Sequence, residues 1–289
     1  TPGGCLRLAG LKSKEYLTGV FSRNAEAYRK RLDDAMRKGQ AAGRDAVLDY
    51  VRARPGMRII DLCCGPGTLT IPLVKDLNGV GEVIGVDLAD GMLENARKAA
   101  GRFSLPVRFV RADIEQLPFP AATCDGASCG HGLHFLPNLG KGLREIRRVL
   151  KPKGRFGASV PPADGPDPSP AVDAFRVCFD RRLGKAQPQP DLEATRATLD
   201  DLDRFRAAVL AAGFRFAETE LVEVDTSWDS ADHFADTNSS WWAYASRLEG
   251  LSDHVRELIV KEAARKVREV TGVGRFTTPA RAHVLRAEA

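Results

Sequence analysis

Apolar residues recur at helical spacing near the start of the chain. The first group is spaced by four, three and four residues and consists of Phe21, Ala25, Tyr28 and Leu32. A second group follows at Val47, Leu48 and Val51. Because residues three or four apart share one face of an α-helix, this pattern predicts two helices within residues 21–53. The helical pattern ends at 54–56, where Arg-Pro-Gly breaks it.

From residue 57 onward, short apolar runs alternate with helical patterns. The apolar runs predict strands over 57–62, 82–87, 107–110, 125–129 and 156–160. Helices are predicted between them, among them one over 91–102 with Asp90 as its cap and one that starts at Leu139. Strands joined by helix-length crossovers form parallel sheets. The chain is therefore predicted to have an α/β fold with a doubly wound, mostly parallel sheet.

A proline-rich segment at 161–170 interrupts this alternation and cannot form a regular element. Beyond it we predict helices over 171–183 and 200–212, a strand over 214–224, helices within 230–270 and a last strand over 280–286. These elements divide the chain into N-terminal helices at 1–53, an alternating core at 54–160, an inserted lid at 161–213 and a C-terminal part at 214–289. The C-terminal part is expected to complete the sheet and to carry a second helical lid segment at about 228–270.

The composition is that of a soluble globular protein. Of 289 residues, 43% are hydrophobic and 28% are charged, so the chain can bury a sizeable core. The net charge of +5 comes from basic and acidic residues that are mixed along the chain, which argues against a nucleic-acid partner. No apolar run reaches the roughly 18 residues that span a membrane, and the six cysteines form no C-x-x-C pair. We therefore expect free thiols, no membrane partner and a cytoplasmic location.

Acidic residues follow three of the predicted strands. Asp61, Asp87 and Asp113 stand at or just after the carboxyl ends of the first three strands. In an open α/β sheet those ends face one crevice, so the three carboxylates are expected to converge there. Asp61 can accept a hydrogen bond from an amine, and Asp87 can accept from both hydroxyls of a ribose. Asp113 is placed to accept from an adenine amine, with Leu88 and Ile114 on either side of the ring.

The loop after the first strand reads Cys63-Cys64-Gly65-Pro66-Gly67-Thr68, and a helix is predicted to begin near its end. Glycines let the backbone approach a ligand closely. The loop lacks the G-x-G-x-x-G spacing of dinucleotide-binding proteins, which aim backbone amides at a pyrophosphate. The sequence therefore does not predict a dinucleotide site here.

Five segments, taken in order, resemble the motifs of a known family. They are DLCCGPGT at 61–68, GVDLADGML at 85–93, RADIEQLPFP at 111–120, CDGASCGHGLHFLPN at 124–138 and REIRRVLKPKGRF at 144–156. The family they resemble is the Rossmann-like, class I S-adenosylmethionine-dependent methyltransferases. Within it, the sequence resembles the small-molecule branch that includes ubiquinone and menaquinone biosynthesis enzymes and many natural-product O-methyltransferases. The resemblance covers about residues 45–160, and Cys63 departs from it where many members have a glycine.

The resemblance implies a seven-stranded Rossmann-like sheet, S-adenosylmethionine as methyl donor, S-adenosylhomocysteine as product and no metal ion. Together with the strand-end carboxylates it predicts the residues that bind the cofactor, which are Asp61, Cys63, Gly65, Gly67, Asp87, Leu88, Met92, Asp113, Ile114, Cys129 and Tyr28. Tyr28 lies on the N-terminal helical stripe, where its ring could face the sulfonium cation. Packing in the protein core is the other explanation for Tyr28.

Two histidines follow the fourth predicted strand. His134 stands where the resembling O-methyltransferases often have a histidine that takes the proton of the substrate hydroxyl, so it is the candidate general base. A neutral imidazole suits this role because its ordinary pKa is about 6.5. The alternative is that His134 packs under the lid. His131 is a candidate substrate contact, with a structural role as the alternative. The two histidines lack the further ligand at matching spacing that a metal site needs.

All three tryptophans lie within 228–244, together with Phe234 and Tyr244. Aromatic clusters usually pack against one another, but this one falls in the predicted lid and suits the wall of an apolar pocket. Trp241, Trp242 and Tyr244 are therefore candidate acceptor-site residues, with His131. The basic residues between 176 and 185 could instead receive an anionic group of the acceptor. A solvated helix face is the other explanation for those charges.

The predicted function is methyl transfer from S-adenosylmethionine to a small-molecule acceptor. The first candidate acceptor is a hydroxyl oxygen of a secondary metabolite, with His134 as general base. The alternative is C-methylation, or N-methylation, of a quinone, terpenoid or similar molecule. A further alternative is a non-methylating cyclase or a binding module on the same fold. The excess of arginine over lysine indicates a high-GC bacterial gene, in which secondary metabolism such as antibiotic biosynthesis is common.

Overall fold

The computed structural model describes residues 13–38, 40–101, 107–162 and 169–289. Within these residues, seven strands form a single sheet: β1 (Arg58–Leu62), β2 (Glu82–Asp87), β3 (Val107–Arg111), β4 (Cys124–Gly130), β5 (Leu150–Val160), β6 (Phe216–Trp228) and β7 (Phe276–Glu288). Their order is β3-β2-β1-β4-β5-β7-β6. β1 to β5 run parallel to one another, whereas β7 is antiparallel to both β5 and β6. The predicted α/β class with a mostly parallel, doubly wound sheet is confirmed.

The central strands are short and apolar because both faces of the sheet are covered by helices. In β1 and β2, Ile59 pairs with Val83 and Ile60 with Ile84, and all four side chains are fully buried. The parallel register brings the carboxyl ends of β1, β2 and β3 to the same edge. The loops that follow these strands therefore lie side by side.

From residue 13 onward, three described helices precede the sheet: α1 (Ser13–Arg23), α2 (Ala25–Arg37) and α3 (Arg44–Val51). The apolar spacing predicted two helices over 21–53, and the difference arises at Asn24, where the chain turns between α1 and α2. A second turn separates α2 from α3. Gly43 lies in it with φ of +74°, a conformation that favours glycine. A side chain there would also approach Ala282 to 2.9 Å.

Three helices alternate with the parallel strands: α4 (Thr70–Asp76), α5 (Asp90–Gly101) and α6 (Leu139–Val149). α5 begins at Asp90, close to its predicted start. α6 begins after Asn138, whose side chain accepts a hydrogen bond from the Lys141 amide at 2.9 Å. This cap satisfies one of the backbone donors that the first turn of a helix leaves free.

Within the described residues 169–289, six further helices lie beyond β5: α7 (Pro170–Leu183), α8 (Pro190–Leu199), α9 (Leu202–Ala211), α10 (Ala231–Ser239), α11 (Trp242–Leu248) and α12 (Asp253–Thr271). The last three are inserted between β6 and β7. The sequence pattern missed α8, because only Leu192, Thr195 and Leu199 of this helix are buried. Most of the predicted irregular segment at 161–170 lies outside the described residues, which omit 163–168.

The two largest of the four hydrophobic clusters among the described residues connect the sheet to the helices beyond β5. The sheet cluster lies between the sheet and helices α6 and α9, around Phe156, Phe205 and Phe214. The helical cluster joins α7, α10 and α12 to the far ends of β6 and β7, around Phe175, Phe179 and Phe234. α9, which falls within the segment predicted as a lid, belongs to the sheet cluster. β6 and β7 contribute residues to both clusters and connect them.

Candidate active site

Three carboxylates meet at the carboxyl edge of the sheet. Asp61 lies in β1, Asp87 ends β2 and Asp113 follows β3. All three line one cleft with about 950 Å³ of empty volume, part of which is open to solvent. Other residues predicted to bind the cofactor also line this cleft, namely Tyr28, Cys63, Gly65, Leu88, Met92 and Ile114. The structure thus brings together the groups whose positions after strands predicted a common site.

Asp61 is a buried carboxylate at the floor of the cleft. Its side chain is 1% exposed and accepts hydrogen bonds from the hydroxyls of Thr70 at 2.6 Å and Ser128 at 2.7 Å. Burial raises its pKa to about 6, although both hydrogen bonds act in the opposite direction. The two bonds fix the plane of the carboxylate before any ligand arrives.

Asp87 shapes the loop between β1 and α4. Its carboxylate accepts hydrogen bonds from the backbone amides of Gly65 at 2.9 Å and Ala89 at 2.8 Å. Burial raises the pKa of this carboxyl, and the amide hydrogen bonds partly oppose the rise. Gly65 and Gly67 have φ of +55° and +90°. Gly67 does not line the cleft, so its contribution is the turn itself.

Asp113 lies at the far end of the cleft from the sheet centre. One of its oxygens accepts a hydrogen bond from the Glu115 amide at 2.9 Å, and the other lies 2.8 Å from the ammonium of Lys14. The same ammonium is 3.2 Å from the carboxylate of Glu115. Lys14 belongs to α1, so the first helix is held against the loop that follows β3.

Helices α1 and α2 form the roof of the cleft. Phe21, Tyr28 and Leu32 line it from above. The Phe21 ring meets the edge of Tyr28 at 5.5 Å and of Phe135 at 5.2 Å between ring centroids. Edge-to-face packing of this kind fixes the position of each ring. Apart from Lys14 and Thr18, the side chains that the roof contributes are mainly apolar, whereas the floor carries carboxylates.

His131 and Arg44 lie at the inner end of the cleft. His131 follows β4 with φ of +56°, and its Nε2 atom is buried with no hydrogen-bond partner among the described residues. Burial, and then the charge of Arg44, lower the pKa of this imidazole well below its ordinary value, so the ring is neutral. Arg44 begins α3 and is 5% exposed. Both residues line the cleft.

His134 lies in a short 3₁₀ helix over Leu133–Phe135 that follows His131. It is 8% exposed and is not among the residues that line the cleft. Its ring packs against Phe135 with centroids 3.8 Å apart, and burial lowers its pKa to about 3. A general base works best with a pKa near the working pH. The catalytic role of His134 stays a prediction, and these two features weigh against it.

The aromatic residues predicted for the acceptor site lie behind the cleft. Trp241, Trp242 and Tyr244 do not line it. Trp242 reaches it only through Phe135, whose ring it meets edge-on at 6.0 Å. Tyr244 packs on Phe175 at 4.9 Å, inside the helical cluster. A direct contact of these three residues with the acceptor would need a rearrangement of α11, so their role stays a prediction.

Cys129, predicted as a cofactor residue, is fully buried in β4 and does not line the cleft. Its thiol forms a hydrogen bond with Cys63, which together with burial raises the pKa of the Cys63 thiol. Cys63 has φ of +48°, a conformation that a glycine would adopt with less strain. Because Cys63 stands where many members of the resembling family have a glycine, this chain has a pair of thiols at the cofactor loop.

Several residues that line the cleft escaped the sequence prediction, above all Lys14, Phe21, Arg44 and Phe135. Lys14 and Arg44 stand in helices whose sequence carries no local signal of a site. Among the described residues, no group of three or more His, Cys, Asp or Glu side chains is arranged to hold a metal ion. Across the same part of the chain, no helix is both long and apolar enough to cross a membrane.

Comparison with known proteins agrees with this geometry. Residues 59–154 match the family described as a methyltransferase domain. The 2-phytyl-1,4-naphtoquinone methyltransferase of Trichormus variabilis is 33% identical over 142 residues, which are 48% of this chain and 62% of the relative. The chain thus spans less than two-thirds of that relative's length. The protein of the same name from Synechococcus elongatus is 32% identical over 211 residues, with 69% of this chain and 89% of the relative covered.

Among solved structures, the YcgJ protein of Bacillus subtilis is similar with a TM-score of 0.53 and 20% sequence identity. The similarity covers 85% of this chain and 97% of that protein. At this level of identity, the comparison supports the fold alone.

Proposed function

Since the chain belongs to the class I S-adenosylmethionine-dependent methyltransferases, we propose that it methylates a ring carbon of a quinone-derived acceptor in its reduced, hydroxylated form. The relatives that share its sequence are named for a naphthoquinone substrate. These names favour the alternative of quinone C-methylation over the hydroxyl acceptor that the sequence put first.

The cleft has two chemically different parts, and this division supports the proposal. Its floor carries Asp61, Asp87 and Asp113, whereas its roof presents mainly apolar side chains such as Phe21, together with Phe135 and Leu136. A nucleoside-like cofactor has hydroxyls and amines for the first part. A flat, apolar ring system suits the second part.

The floor residues fit S-adenosylmethionine by the chemistry of their donors and acceptors. Asp87, already oriented by two backbone amides, would accept from the ribose hydroxyls, and Asp113 would accept from the adenine amine. Asp61 would accept from the ammonium of the methionine part. When bound, the cofactor supplies an electrophilic methyl group on a sulfonium. The protein's contribution is alignment of the two reactants, which is worth roughly 7–11 kcal/mol of the barrier in favourable cases.

The reduced form of a 1,4-quinone carries two hydroxyls, and a ring carbon next to an ionised hydroxyl is nucleophilic. Attack by this carbon forms the carbon–methyl bond and breaks the sulfur–methyl bond. Loss of the proton from the same carbon then restores the aromatic ring. O-methylation of a ring hydroxyl is the second candidate, because the unpartnered Nε2 of His131 in the cleft could accept a hydrogen bond from that hydroxyl and orient it.

The test is turnover with a defined acceptor. The purified protein is incubated under anaerobic conditions with S-adenosylmethionine and either 2-phytyl-1,4-naphthoquinone or its chemically reduced hydroquinone. We expect S-adenosylhomocysteine and a ring-methylated product from the hydroquinone, identified by mass spectrometry and by the carbon-bound methyl signal in NMR. A methoxy signal would favour the second candidate. If neither the quinone nor the hydroquinone yields S-adenosylhomocysteine, both candidate functions are contradicted.

A further inference from the structure

Two cysteine side chains meet beside the cofactor loop. Cys63 follows β1, and Cys129 lies near the end of β4, the strand that pairs with β1. Their thiols share a hydrogen bond. Both sulfurs also point at Gly132, because a side-chain carbon placed on this glycine would lie 2.7 Å from Sγ of Cys129 and 2.9 Å from Sγ of Cys63. Two neighbouring strands thus bring the two sulfurs to one place.

Cys64, the residue after Cys63, faces the other neighbour of β1. A side-chain carbon placed on Gly85, in β2, would lie 3.1 Å from Sγ of Cys64. The same sulfur is 3.7 Å from the carbonyl oxygen of Gly65. The structure therefore pairs Cys129 with Cys63 and not with the adjacent cysteine.

The two paired thiols differ in their access to the cleft. Cys129 is fully buried in β4, with β1 on one side and β5 on the other. Cys63 is half-buried and lines the cleft. A small oxidant that enters the cleft can therefore reach Cys63, and Cys129 lies directly behind it. A bound cofactor would cover this route.

We propose that Cys63 and Cys129 form an oxidation site, at which hydrogen peroxide produces a disulfide that weakens binding of the cofactor. The inference goes beyond the proposed function, because it concerns the cofactor loop and holds for any acceptor.

The reaction has two steps. In the first, the Cys63 thiolate attacks one oxygen of the peroxide, so that the oxygen–oxygen bond breaks and a sulfenic acid and one water form. In the second, the sulfur of Cys129 attacks that of Cys63, the sulfur–oxygen bond breaks, and the disulfide and a second water form. Two thiols are oxidised, and one peroxide is reduced to two waters.

The disulfide is expected to displace the loop and not the sheet. A sulfur–sulfur bond is about 2.05 Å long, which is much shorter than a hydrogen bond between two sulfurs, so the two residues must approach each other. Cys129 is held by strands on both sides, so Cys63 has to move. Two residues further on, the Gly65 amide donates to Asp87 at 2.9 Å. A shift of the loop would disturb this contact, which orients the carboxylate expected to bind the ribose.

The charges around the pair make the reaction slow at neutral pH. The hydrogen bond to Cys129, then burial and the charge of Asp87, raise the pKa of the Cys63 thiol. Arg44, on the side of Cys129, is the cation whose charge interacts with that sulfur. Because the thiolate is the form that reacts, oxidation should be faster at higher pH. Exposure and a partner, not acidity, distinguish Cys63 from the other thiols.

Peptide mapping tests whether the disulfide forms. The ligand-free protein is treated with hydrogen peroxide at about pH 8.5, where a free cysteine is half ionised. Remaining thiols are alkylated, and the protein is digested with trypsin without reduction. Cleavage after lysine and arginine gives peptide 59–75, with Cys63 and Cys64, and peptide 112–141, with Cys124 and Cys129. Mass spectrometry should show these two peptides joined, with two hydrogens lost.

Variants then identify the two cysteines within these peptides. Cys63→Gly, which suits the φ of +48° at this position, and Cys129→Ala should each abolish the cross-link. Cys64→Ala and Cys124→Ala are the matched controls, because each removes the second cysteine of one peptide, and both should retain it. Loss of the cross-link in either control means that the assignment is wrong.

Calorimetry with S-adenosylhomocysteine tests the effect on the cofactor. After oxidation and removal of the peroxide, the Kd of the wild-type protein should rise at least about fivefold, and dithiothreitol should reverse the change. Cys63→Gly, treated in the same way, should keep the affinity that it had before oxidation. This comparison separates the disulfide from oxidation elsewhere in the chain.

Three outcomes overturn the inference. The first is absence of the cross-link in the wild-type protein, and the second is a cross-linked protein that binds S-adenosylhomocysteine as tightly as the reduced one. The third is an equal rate of cross-linking with and without saturating S-adenosylhomocysteine, since the cleft would then not be the route of the oxidant. No acceptor takes part in these measurements, so a failure of turnover with the reduced naphthoquinone bears on the proposed function alone.

Discussion

The Nζ atom of Lys14 lies 2.8 Å from Oδ2 of Asp113, although the two residues are 99 positions apart in the sequence. Lys14 belongs to α1, whereas Asp113 follows β3 and is expected to contact the adenine. The other oxygen of Asp113 accepts the Glu115 amide. The first helix is thereby tied to the place where the cofactor is expected to enter.

Lys14→Met should loosen α1 without much loss of global stability. The two side chains are 25% and 34% exposed, and pairs of this kind contribute about 0–1 kcal/mol. We expect amide hydrogen exchange in α1 to become roughly two- to fivefold faster, with the free energy of unfolding lowered by at most about 1 kcal/mol. Lys30→Met, an exposed lysine on α2, is the control. Unchanged exchange in α1 would show that other contacts hold the helix.

Asp87→Asn should weaken cofactor binding. The variant loses the negative charge that accepts from the ribose, and one of the two amide hydrogen bonds to Gly65 and Ala89 loses its acceptor. We expect the Kd for S-adenosylmethionine to rise by about five- to 150-fold, which corresponds to about 1–3 kcal/mol. Calorimetry measures the change directly. Glu94→Gln, on the exposed face of α5, should leave the affinity unchanged, and the assignment fails if Asp87→Asn behaves in the same way.

Asp61 should make the ligand-free protein less stable as pH rises through the acid range. Its pKa is raised by burial from 3.8 to about 6, so between these values the folded protein keeps a proton that the unfolded chain has lost. Unfolding then releases a proton, and a higher pH favours it. This loss of stability is absent below about pH 4 and complete above about pH 6. A pKa shift of about two units corresponds to a loss of about 3 kcal/mol in the free energy of unfolding.

Urea unfolding of the wild type and of Asp61→Asn at several pH values between 4 and 7 checks this prediction. The unfolding free energy of the wild type should fall relative to the variant as the pH rises. Asp87, whose pKa is also raised by burial, is present in both proteins, so the effect of its own burial cancels, and its repulsion with Asp61 is included in the difference that is measured. Parallel pH profiles would mean that Asp61 has an ordinary pKa in the folded state.

His131→Ala and His134→Ala should affect catalysis unequally. His131 lines the cleft, whereas His134 does not, so the loss of kcat should be at least about tenfold for His131 and less than about tenfold for His134. Product formation and cofactor affinity are measured for each variant. A loss of about 10²–10⁴-fold in His134→Ala, with intact cofactor binding, would instead establish the general base that the sequence suggested.

The sequence predicted the sheet and the floor of the cleft because both follow from local patterns. Apolar runs mark buried parallel strands, and Asp61, Asp87 and Asp113 follow from their positions at strand ends. The family resemblance rests on the same segments. The roof was harder to predict, since Lys14 and Phe21 reach the cleft only through the packing of α1 against distant parts of the chain.

For the acceptor end of the cleft, the clustering of aromatic residues in the sequence did not predict which side chains line the site. Trp241, Trp242 and Tyr244 suggested a pocket wall, but the structure uses them to support other side chains: Trp241 lies under Arg31, and Trp242 lies beside Phe135. Arg44 was missed because a charged residue at the start of a helix usually faces solvent. Only its burial in the fold, without an ion pair among the described residues, distinguishes it from the many other arginines of the chain.

The paired ends of β6 and β7 allow the segment between them to change during evolution. Trp228 and Phe276 are neighbours in the ladder, so the segment that carries α10, α11 and α12 leaves and re-enters the sheet at adjacent points. An insertion closed in this way can be lengthened, shortened or exchanged while the register of the sheet is kept. Modular replacement of 229–275 would thus change the packing behind Phe135, which Trp242 now supports, while the nucleoside site stays unaltered.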